Sequence, residues 1–355
     1  MTMPASDDRR HVIIGAGAIG GTLGGLLARA GASTVLVARG RHAEVLAADG
    51  LTLRTPDGTF RTPVTVASRP EQVQLTDRDV LVFTTKTQQV DAALQEWVDR
   101  PVHGKAGVVG TAGELLPAMT ALNGVAAEEK ALRYFARVFG ICVWLPAVHL
   151  EPGEVIVRSW PVAGQFHIAR WPAAAGTEAD ADLLTGLADA WSAAGIRVRI
   201  TPDVAPWKYN KLLSNLGNAV GALTAGSGDA WEVLAALRAE GEDVLRCAGI
   251  EFASFQTSAA VRVDGPTIRQ VPGWDNGPNN STWQSFSRNT GNAETDFFNG
   301  EITRIAHRHG IAAPLNAAVA RAARIAVRDG TGPGCYSAAQ LAELLGINAS
   351  IPVQD

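Results

Sequence analysis

The sequence predicts an α/β fold: an N-terminal Rossmann-like dinucleotide-binding domain followed by an all-helical C-terminal domain. A short apolar strand at 11–14 leads directly into a Gly-x-Gly-x-x-Gly pattern and an apolar helix. Strand signals then continue to about Thr201. We therefore place the domains at 9–203 and 204–345. From Val204 onward helical patterns dominate, at 206–225, 228–248, 281–309 and 315–328.

Composition excludes several classes of protein. The 355 residues, 46% hydrophobic and 19% charged, are enough to build two cores. The net charge of -4, with both signs mixed along the chain, provides no basic stripe, so we expect no nucleic-acid partner. The three cysteines are widely spaced and form no Cys-x-x-Cys pair, so we expect neither a disulfide framework nor a metal site.

The ends and the hydropathy of the chain set an expectation for its location. The N-terminus lacks the long apolar run of a signal peptide, and no apolar run reaches membrane-spanning length. We therefore expect a cytoplasmic protein without a membrane partner. The sequence leaves a homodimer open.

The glycine pattern after the first strand predicts a cofactor. Gly15 allows the tight turn, Gly17 lets backbone amides approach a pyrophosphate, and Gly20 permits close packing of helix on strand. A glycine-rich turn without a ligand is the alternative. The residues expected to contact the cofactor here are Gly15, Ala16, Gly17, Ala18, Ile19 and Gly20.

The end of the second strand indicates which cofactor is used. The apolar stretch 33–38 ends at Arg39, where an NAD-binding protein usually carries an acidic residue for the ribose 2′-hydroxyl. An arginine can instead pair with a 2′-phosphate, which favours NADPH. The alternative for Arg39 is an ordinary solvent-exposed loop residue.

Two further polar residues follow predicted strands. Lys86 comes after 79–85 and Asn123 after 118–122, at the carboxyl ends where open α/β sheets bind ligands. A lysine facing water and an Asn-Gly turn are the respective alternatives. The glycine-rich stretch 104–113 looks like an irregular insertion, and 264–280 looks like a covering loop.

The helical half carries a cation and two amides in register. Lys211, Asn215 and Asn218 are spaced to share one face of a single helix. Such groups suit an oxygen-rich small molecule. A solvated polar stripe is the alternative.

Glu294 is the candidate carboxylate of the last long helix. It precedes Phe298 and Ile302 along an apolar side, where a carboxylate is costly without a partner, which favours a site over an ordinary surface glutamate. Asp296 and Glu301 lie off that line and are expected to be solvated.

Ser281 is expected to cap the start of this helix, with Gln284 three residues later. His307 and His309 close the helix, where positive charge complements its dipole, and are not expected to bind metal.

Together these residues resemble the ketopantoate reductase family from Val12 to about Arg328. No single motif decides the resemblance, but the order and spacing of the motifs are specific. The matching pieces are the glycine pattern Gly15 to Gly20, Arg39, Thr84-Thr-Lys86, Leu122-Asn-Gly124, Lys211-Leu-Leu-Ser-Asn215, Glu294 to Gly300, and His309 to Pro314.

The resemblance implies reduction of a 2-keto acid, most specifically 2-dehydropantoate to pantoate, with NADPH. It implies Lys211 as the general acid and Glu294 as the group holding the substrate hydroxyl. Lys86 and Asn123 would lie beside the cofactor and the reacting carbonyl. The polar atoms of the substrate would be bound by Asn123, Asn215, Asn218 and Ser281.

This chain departs from the family pattern at two points. The spacing around Asn218 differs from that of the family's second asparagine, and Thr282 or Ser285 could take the place of Ser281. A related 2-keto acid or imine reductase, or a non-catalytic NADPH-sensing module, are the alternative functions.

Overall fold

The computed structural model describes residues 9–226, 230–274 and 294–347, which form two compact units. The first unit holds the described residues up to Lys208 together with 254–274. The second holds those of Tyr209–Ala253 and the described residues from 294 onward. The domain division predicted at 203/204 stays a prediction, and the membership of 254–274 in the first unit is a new finding.

The first unit contains all the strands found in the described residues. In chain order these are β1 (Arg10–Ile14), β2 (Thr34–Val37), β3 (Leu51–Thr55), β4 (Gly58–Thr62), β5 (Thr65–Ala67), β6 (Leu75–Thr76), β7 (Asp79–Phe83), β8 (Pro101–Gly104), β9 (Gly107–Thr111), β10 (Pro117–Thr120), β11 (Arg137–Trp144), β12 (Ala147–Val148), β13 (Glu154–Val157), β14 (Gly164–Trp171) and β15 (Ile196–Ile200).

The helices, again in chain order, are α1 (Ala18–Arg29), α2 (Gly40–Asp49), α3 (Val90–Val98), α4 (Ala112–Leu115), α5 (Ala127–Ala131), α6 (Glu178–Ala193), α7 (Ala205–Asn215), α8 (Gly217–Leu223), α9 (Trp231–Cys247), α10 (Phe255–Ala260), α11 (Asn299–His309), α12 (Pro314–Asp329) and α13 (Ala338–Leu344). Short 3-10 turns lie at Pro70–Gln72, Ala173–Ala175 and Glu294–Phe297.

The main sheet has eight strands in the order β15-β14-β11-β10-β7-β1-β2-β5. From β11 to β5 neighbouring strands are parallel, and β14 enters antiparallel to β11. Ile14 pairs with both Val37 and Phe83, so β1, β2 and β7 end at the same level. The residues that follow these strands therefore emerge at one edge of the sheet, as the sequence predicts.

Buried apolar strands explain why this sheet forms the centre of the unit. Every residue of β2 and β7 is buried, the pattern of strands covered on both faces. Leu23 and Leu27 of α1 are fully buried in one of the two clusters that flank the sheet, and Leu94 and Trp97 of α3 in the other. The α/β fold is thereby confirmed.

Two hairpins lie outside the main sheet, in two smaller sheets. The chain turns around Pro56-Asp-Gly58 to form the hairpin β3–β4, which joins β12 and β13 in a four-stranded sheet. The expectation of irregular structure at 104–113 is wrong, because β8 and β9 form an antiparallel pair there, while its interpretation as an insertion stays a prediction. Gly107, at φ +116°, supplies the turn. The glycines Gly104, Gly107 and Gly110 interrupt the apolar pattern, so the sequence does not indicate the two strands.

The segment 254–274 contains α10 and an extended stretch that packs on the first unit. Ile268 forms a bridge to Ser159, and Arg54 donates from Nη2 to the Pro272 carbonyl at 2.8 Å. The described part of the predicted loop 264–280 therefore runs along this unit, and 275–280 lies outside the described residues.

The described residues of the second unit form helices and contain no strand, which agrees with the predicted helical half. Its core is lined by α8, α9, α12 and α13, with Leu223, Leu237, Val319 and Leu341 fully buried. No helix in the described part of the chain is long and apolar enough to cross a membrane.

Two helices predicted as continuous are interrupted. The pattern at 206–225 is split at Leu216 into α7 and α8. The pattern at 281–309 is broken at Phe298, whose φ of -115° and ψ of -85° separate the turn Glu294–Phe297 from α11. Residues 281–293 lie outside the described residues. Hydropathy does not reveal either break because the apolar spacing continues across it.

Candidate active site

The glycine-rich loop has the geometry that its pattern predicts. Gly15 has φ +102°, a conformation that side chains rarely adopt. A Cβ on Gly20 would lie 2.0 Å from the Gly15 carbonyl oxygen and 2.3 Å from Thr84 Oγ1, so only glycine fits. Gly17 is the N-cap residue of α1, and nothing lies within 4 Å of a Cβ built on it. The backbone turn, the close contact and the open approach that a dinucleotide requires are all present.

A histidine that no sequence motif marks holds this loop in place through a hydrogen bond. His42 of α2 lies with Nε2 2.8 Å from the Ala16 carbonyl, while its Nδ1 accepts from the Gly153 amide at 2.9 Å. The two contacts require the neutral tautomer that carries the proton on Nε2. Burial lowers the pKa of His42, which favours that neutral form. The signal in the sequence is weak, since His42 lies inside a polar helix.

The two polar residues predicted at strand ends lie in neighbouring loops. Thr87 Oγ1, next to Lys86, donates to the Asn123 carbonyl at 3.3 Å. Lys86 and Asn123 are both half-buried. Within the first unit the structure thus brings the Lys86 loop and the Asn123 loop together.

Arg39 lies at the predicted edge and carries an unpredicted partner. It is the N-cap residue of α2, and its side chain is 71% exposed. Its Nη2 donates to both carboxylate oxygens of Glu96 on α3, at 2.6 and 2.5 Å. A 2′-phosphate approaching Arg39 would therefore compete with the Glu96 carboxylate.

A buried ion pair supports the Asn123 loop. Lys208 of α7 is 2% exposed and pairs with the fully buried Glu128 of α5. Lys208 Nζ also donates to the Leu122 carbonyl at 3.4 Å, one residue before Asn123. Thr120 Oγ1 donates to Glu128 Oε1 at 2.6 Å. No local pattern marks Lys208, because its partner Glu128 lies 80 positions away in the sequence.

The polar residues of α7 are only partly aligned as predicted. Lys211 is half-buried and Asn215 is 5% exposed, one turn apart on α7. Asn215 Nδ2 has no hydrogen-bond partner in the part of the chain that the structure describes. Asn218 lies on α8, so the prediction of one unbroken helix is wrong. Leu216 between the two helices keeps helical dihedral angles, φ -57° and ψ -32°, and a shared face for the three side chains stays a prediction.

An asparagine network explains the break at Leu216. Asn299 Nδ2 donates to the Leu216 carbonyl at 3.2 Å and to Asn316 Oδ1 at 2.9 Å. Asn316 Nδ2 in turn donates to Glu240 Oε1 at 2.9 Å. A helix break leaves backbone groups without helical partners, and the Asn299 side chain satisfies one of them.

Glu294 is buried, as expected for a carboxylate beside the apolar side of its segment. It is 5% exposed, while Phe298 and Ile302 are fully buried. Ser281 and its alternatives Thr282 and Ser285 lie outside the described residues.

The two other carboxylates of this segment differ from each other. Asp296 is exposed, as predicted, and pairs with Arg324. The prediction that Glu301 is solvated is wrong: its side chain is 7% exposed and pairs with Arg304 at 2.7 Å. Glu301 precedes the buried Ile302 on α11, and its ion pair with Arg304 offsets the cost of burial, which the position of Glu301 off the apolar line did not indicate.

Metal chemistry has no support among the described residues, which contain no group of three His, Cys, Asp or Glu side chains that could hold an ion. His307 and His309 lie in the last turn of α11, before Gly310.

Comparison with known proteins identifies the family of this arrangement. The family described as "Ketopantoate reductase PanE/ApbA" matches residues 11–173, and its C-terminal counterpart matches 203–326. The chain belongs to the ketopantoate reductase family. Members of this family are NADPH-dependent oxidoreductases that act on a CH-OH group, which confirms the predicted enzyme class and cofactor.

Relatives named 2-dehydropantoate 2-reductase align over most of the chain. It is 26% identical over 312 residues to the 2-dehydropantoate 2-reductase of Pyrococcus horikoshii, covering 86% of this chain and 93% of the relative. The enzyme of the same name from Caulobacter vibrioides is 29% identical over 317 residues, covering 86% and 95%.

Solved structures show the same fold. A ketopantoate reductase from Ralstonia eutropha has a TM-score of 0.69 at 26% identity, covering 90% of this chain and 99% of that one. A D-mandelate dehydrogenase has a TM-score of 0.71 at 17% identity, with 90% and 99% covered, a likeness of fold alone.

Proposed function

We propose that the protein reduces 2-dehydropantoate to pantoate with NADPH. The observation that carries the proposal is the spacing of Lys211 and Asn215, which lie one turn apart on α7. Asn215 is buried with its Nδ2 donor unused within the described residues. Such a donor is costly unless a ligand or water accepts from it, and a 2-keto acid presents several oxygen acceptors.

Residues of the first unit would hold the cofactor, which supplies the hydride when bound. The loop Gly15-Ala16-Gly17-Ala18-Ile19-Gly20 would take the pyrophosphate, and its geometry fits that role. The Arg39 guanidinium would pair with the 2′-phosphate. Lys86 and Asn123 would lie near the nicotinamide end, where the strands finish.

Residues of the second unit would hold the substrate and move the proton. Negative charge develops on the carbonyl oxygen during reduction, and the Lys211 ammonium would stabilise that oxygen and donate a proton from Nζ. Asn215, Asn218 and Ser281 would bind polar atoms of the substrate. The Glu294 carboxylate would accept a hydrogen bond from its hydroxyl and fix its orientation.

The proposal predicts that Lys211→Ala lowers turnover strongly while NADPH affinity changes little. Loss of a general acid typically costs about 10²–10⁴-fold in rate. The matched control is Lys105→Ala, since Lys105 is exposed in the β8–β9 turn and should leave turnover unchanged. NADPH oxidation is followed by absorbance and NADPH binding by fluorescence.

A substrate panel separates this proposal from its alternatives. The wild-type enzyme should turn over 2-dehydropantoate faster than other 2-keto acids and imines. Faster turnover of another compound would redirect the proposal to that substrate. Tight NADPH binding without turnover of any compound would contradict the enzyme assignment.

A further inference from the structure

A polar, positively charged face lies on the last three strands of the main sheet, within the first unit. Directly paired residues point to the same side of a sheet. Cys142 of β11 pairs with His167 of β14, which pairs with Arg199 of β15. In the next row, Trp144 pairs with Gln165, which pairs with Arg197. Two arginines therefore flank two buried polar residues on one face.

The opposite side of these strands shows what an ordinary core looks like here. Phe166, Ile168 and Ile196 point to that side and are fully buried. Phe166 packs edge-on against Trp191 of α6 at 5.8 Å. Arg170 also points to that side, but it is paired with Asp180 of α6 at 3.4 Å, whereas Gln165 and His167 have no hydrogen-bond partner among the described residues.

The buried polar atoms on this face lack protein partners. Gln165 and His167 are 0% and 1% exposed. Both amide atoms of Gln165 and both ring nitrogens of His167 have no hydrogen-bond partner among the described residues. The same holds for one Nη of Arg197 and for Arg199 Nε. Six buried polar atoms without protein partners on one face are available to a ligand or to ordered water.

A third arginine reaches this face from the segment 254–274. The Arg262 guanidinium lies 3.9 Å from the ring centroid of Trp144, and its Nε donates to the Ser258 carbonyl at 3.0 Å. Arg197 is 3.9 Å from Asp264, whose side chain is 84% exposed, so this pairing is weak. Arg199 and Arg262 form no ion pair within the described ranges. Positive charge is therefore in excess.

The pKa of His167 reflects this excess of positive charge. Its ring stacks on Trp207 at a centroid distance of 4.2 Å. Burial and the charges of Arg199 and Arg262 lower the pKa of His167 to about 4. A neutral imidazole between cationic side chains can donate one N–H, as can the Gln165 amide and the guanidinium groups.

We propose that the β11–β14–β15 face binds a small oxyanion between Arg199, Arg262 and His167, with Gln165 as a further donor. This site contains none of the residues assigned to the reduction and does not depend on that function. Its ligand is a carboxylate or a phosphate group, because both offer several anionic acceptor oxygens to arginine.

The test observes His167 directly in the NADPH-saturated protein, so that phosphate cannot report on the cofactor site. The His167 imidazole resonance is assigned by its loss in His167→Gln. Inorganic phosphate and propanoate are then titrated separately at constant ionic strength. We expect a saturable shift of this resonance and a His167 titration that moves to higher pH, because the anion offsets the arginine charges. The anion that saturates the shift identifies the source, phosphate or carboxylate.

Variants decide whether the arginines form the site. Arg199→Gln and Arg262→Gln should each weaken the anion by about tenfold or more, since each removes a charge-assisted contact. Arg246→Gln is the matched control, because Arg246 is exposed on α9 in the second unit. Retained NADPH binding verifies folding, and if one arginine variant fails to fold the other still decides.

Two outcomes would overturn the proposal. The first is the absence of a saturable shift with either anion, which would leave water as the occupant of this face. The second is a shift that persists unchanged in the arginine variants, which would place the anion elsewhere.

Discussion

At the scale of single residues, the cofactor edge combines an expected group with an unexpected competitor. Arg39 lies after β2, where a residue that binds the 2′-phosphate of NADPH is expected, and it forms an ion pair with Glu96 of α3. An exposed ion pair is worth roughly 0.2–1 kcal/mol, so a phosphate with a larger charge can displace the carboxylate. We therefore expect Glu96 to lower the affinity for NADPH without preventing its binding.

We predict that Arg39→Gln weakens NADPH by about tenfold or more and leaves NADH nearly unchanged, because only NADPH has the 2′-phosphate. Glu96→Gln should strengthen NADPH by up to about fivefold, the equivalent of an exposed ion pair. Dissociation constants for both cofactors are measured by fluorescence titration.

The matched control for Glu96→Gln is Glu44→Gln. Glu44 pairs with Arg41 at 3.2 Å in another exposed arginine–glutamate pair of α2, so its loss should not alter NADPH affinity. Equal weakening of NADPH and NADH by Arg39→Gln would reject the phosphate assignment.

At the scale of elements, the buried pair Lys208–Glu128 ties α7 to α5 and to the end of β10. Lys208 also donates to the Leu122 carbonyl, and Glu128 accepts from Thr120. Breaking one half of a buried ion pair leaves an uncompensated charge, which is far more costly than removing both halves. The pair therefore holds the backbone next to Asn123 in place.

We predict that Lys208→Met destabilises the protein by about 3–5 kcal/mol, because Glu128 is left buried and unpaired. The double variant Lys208→Met with Glu128→Gln should recover most of that loss. Urea unfolding of the wild type, both single variants and the double variant measures the coupling between the two residues. Additive losses would show that the two charges do not act as a pair.

At the scale of the whole molecule, the two units differ in what they bring to the enzyme. The first provides a glycine loop fastened by His42, and the second a helical core crossed by the Asn299–Asn316–Glu240 network. We expect the free energy of unfolding at acid pH to depend on the first unit, because folding keeps His42 and His167 neutral there. Each has a folded-state pKa below its ordinary value.

We predict that stability falls as pH drops from about 6.5 towards 4, partly through His167. The unfolded chain binds a proton at the ordinary histidine pKa, whereas folded His167 does so only near about 4. Above pH 6.5 its contribution is complete, and by pH 4 the loss is on the order of 3 kcal/mol.

In phosphate-free buffer, His167→Gln should therefore lose less stability than the wild type over this interval. Thermal unfolding at a series of pH values measures the difference. His309→Gln, altering an exposed histidine at the end of α11, serves as the control. Parallel pH curves for the wild type and His167→Gln would contradict the prediction.

The sequence alone determined the features that depend on local pattern. The strand-glycine-helix unit, Arg39 after β2 and the spacing of Lys211 and Asn215 follow from short-range periodicity and backbone requirements, and they predicted the family. The burial of Glu294 was also readable, since it lies on a line with Phe298 and Ile302.

Features that depend on partners distant in the sequence are visible only in the folded structure. The Lys208–Glu128 pair joins residues 80 positions apart, and the His42–Gly153 contact joins residues 111 apart. The predicted helix divides at Leu216, whose carbonyl accepts from Asn299, and the buried Glu301 is paired with Arg304. Periodicity predicts which face of an element is apolar, but it cannot show which remote polar group satisfies a buried charge or a freed carbonyl.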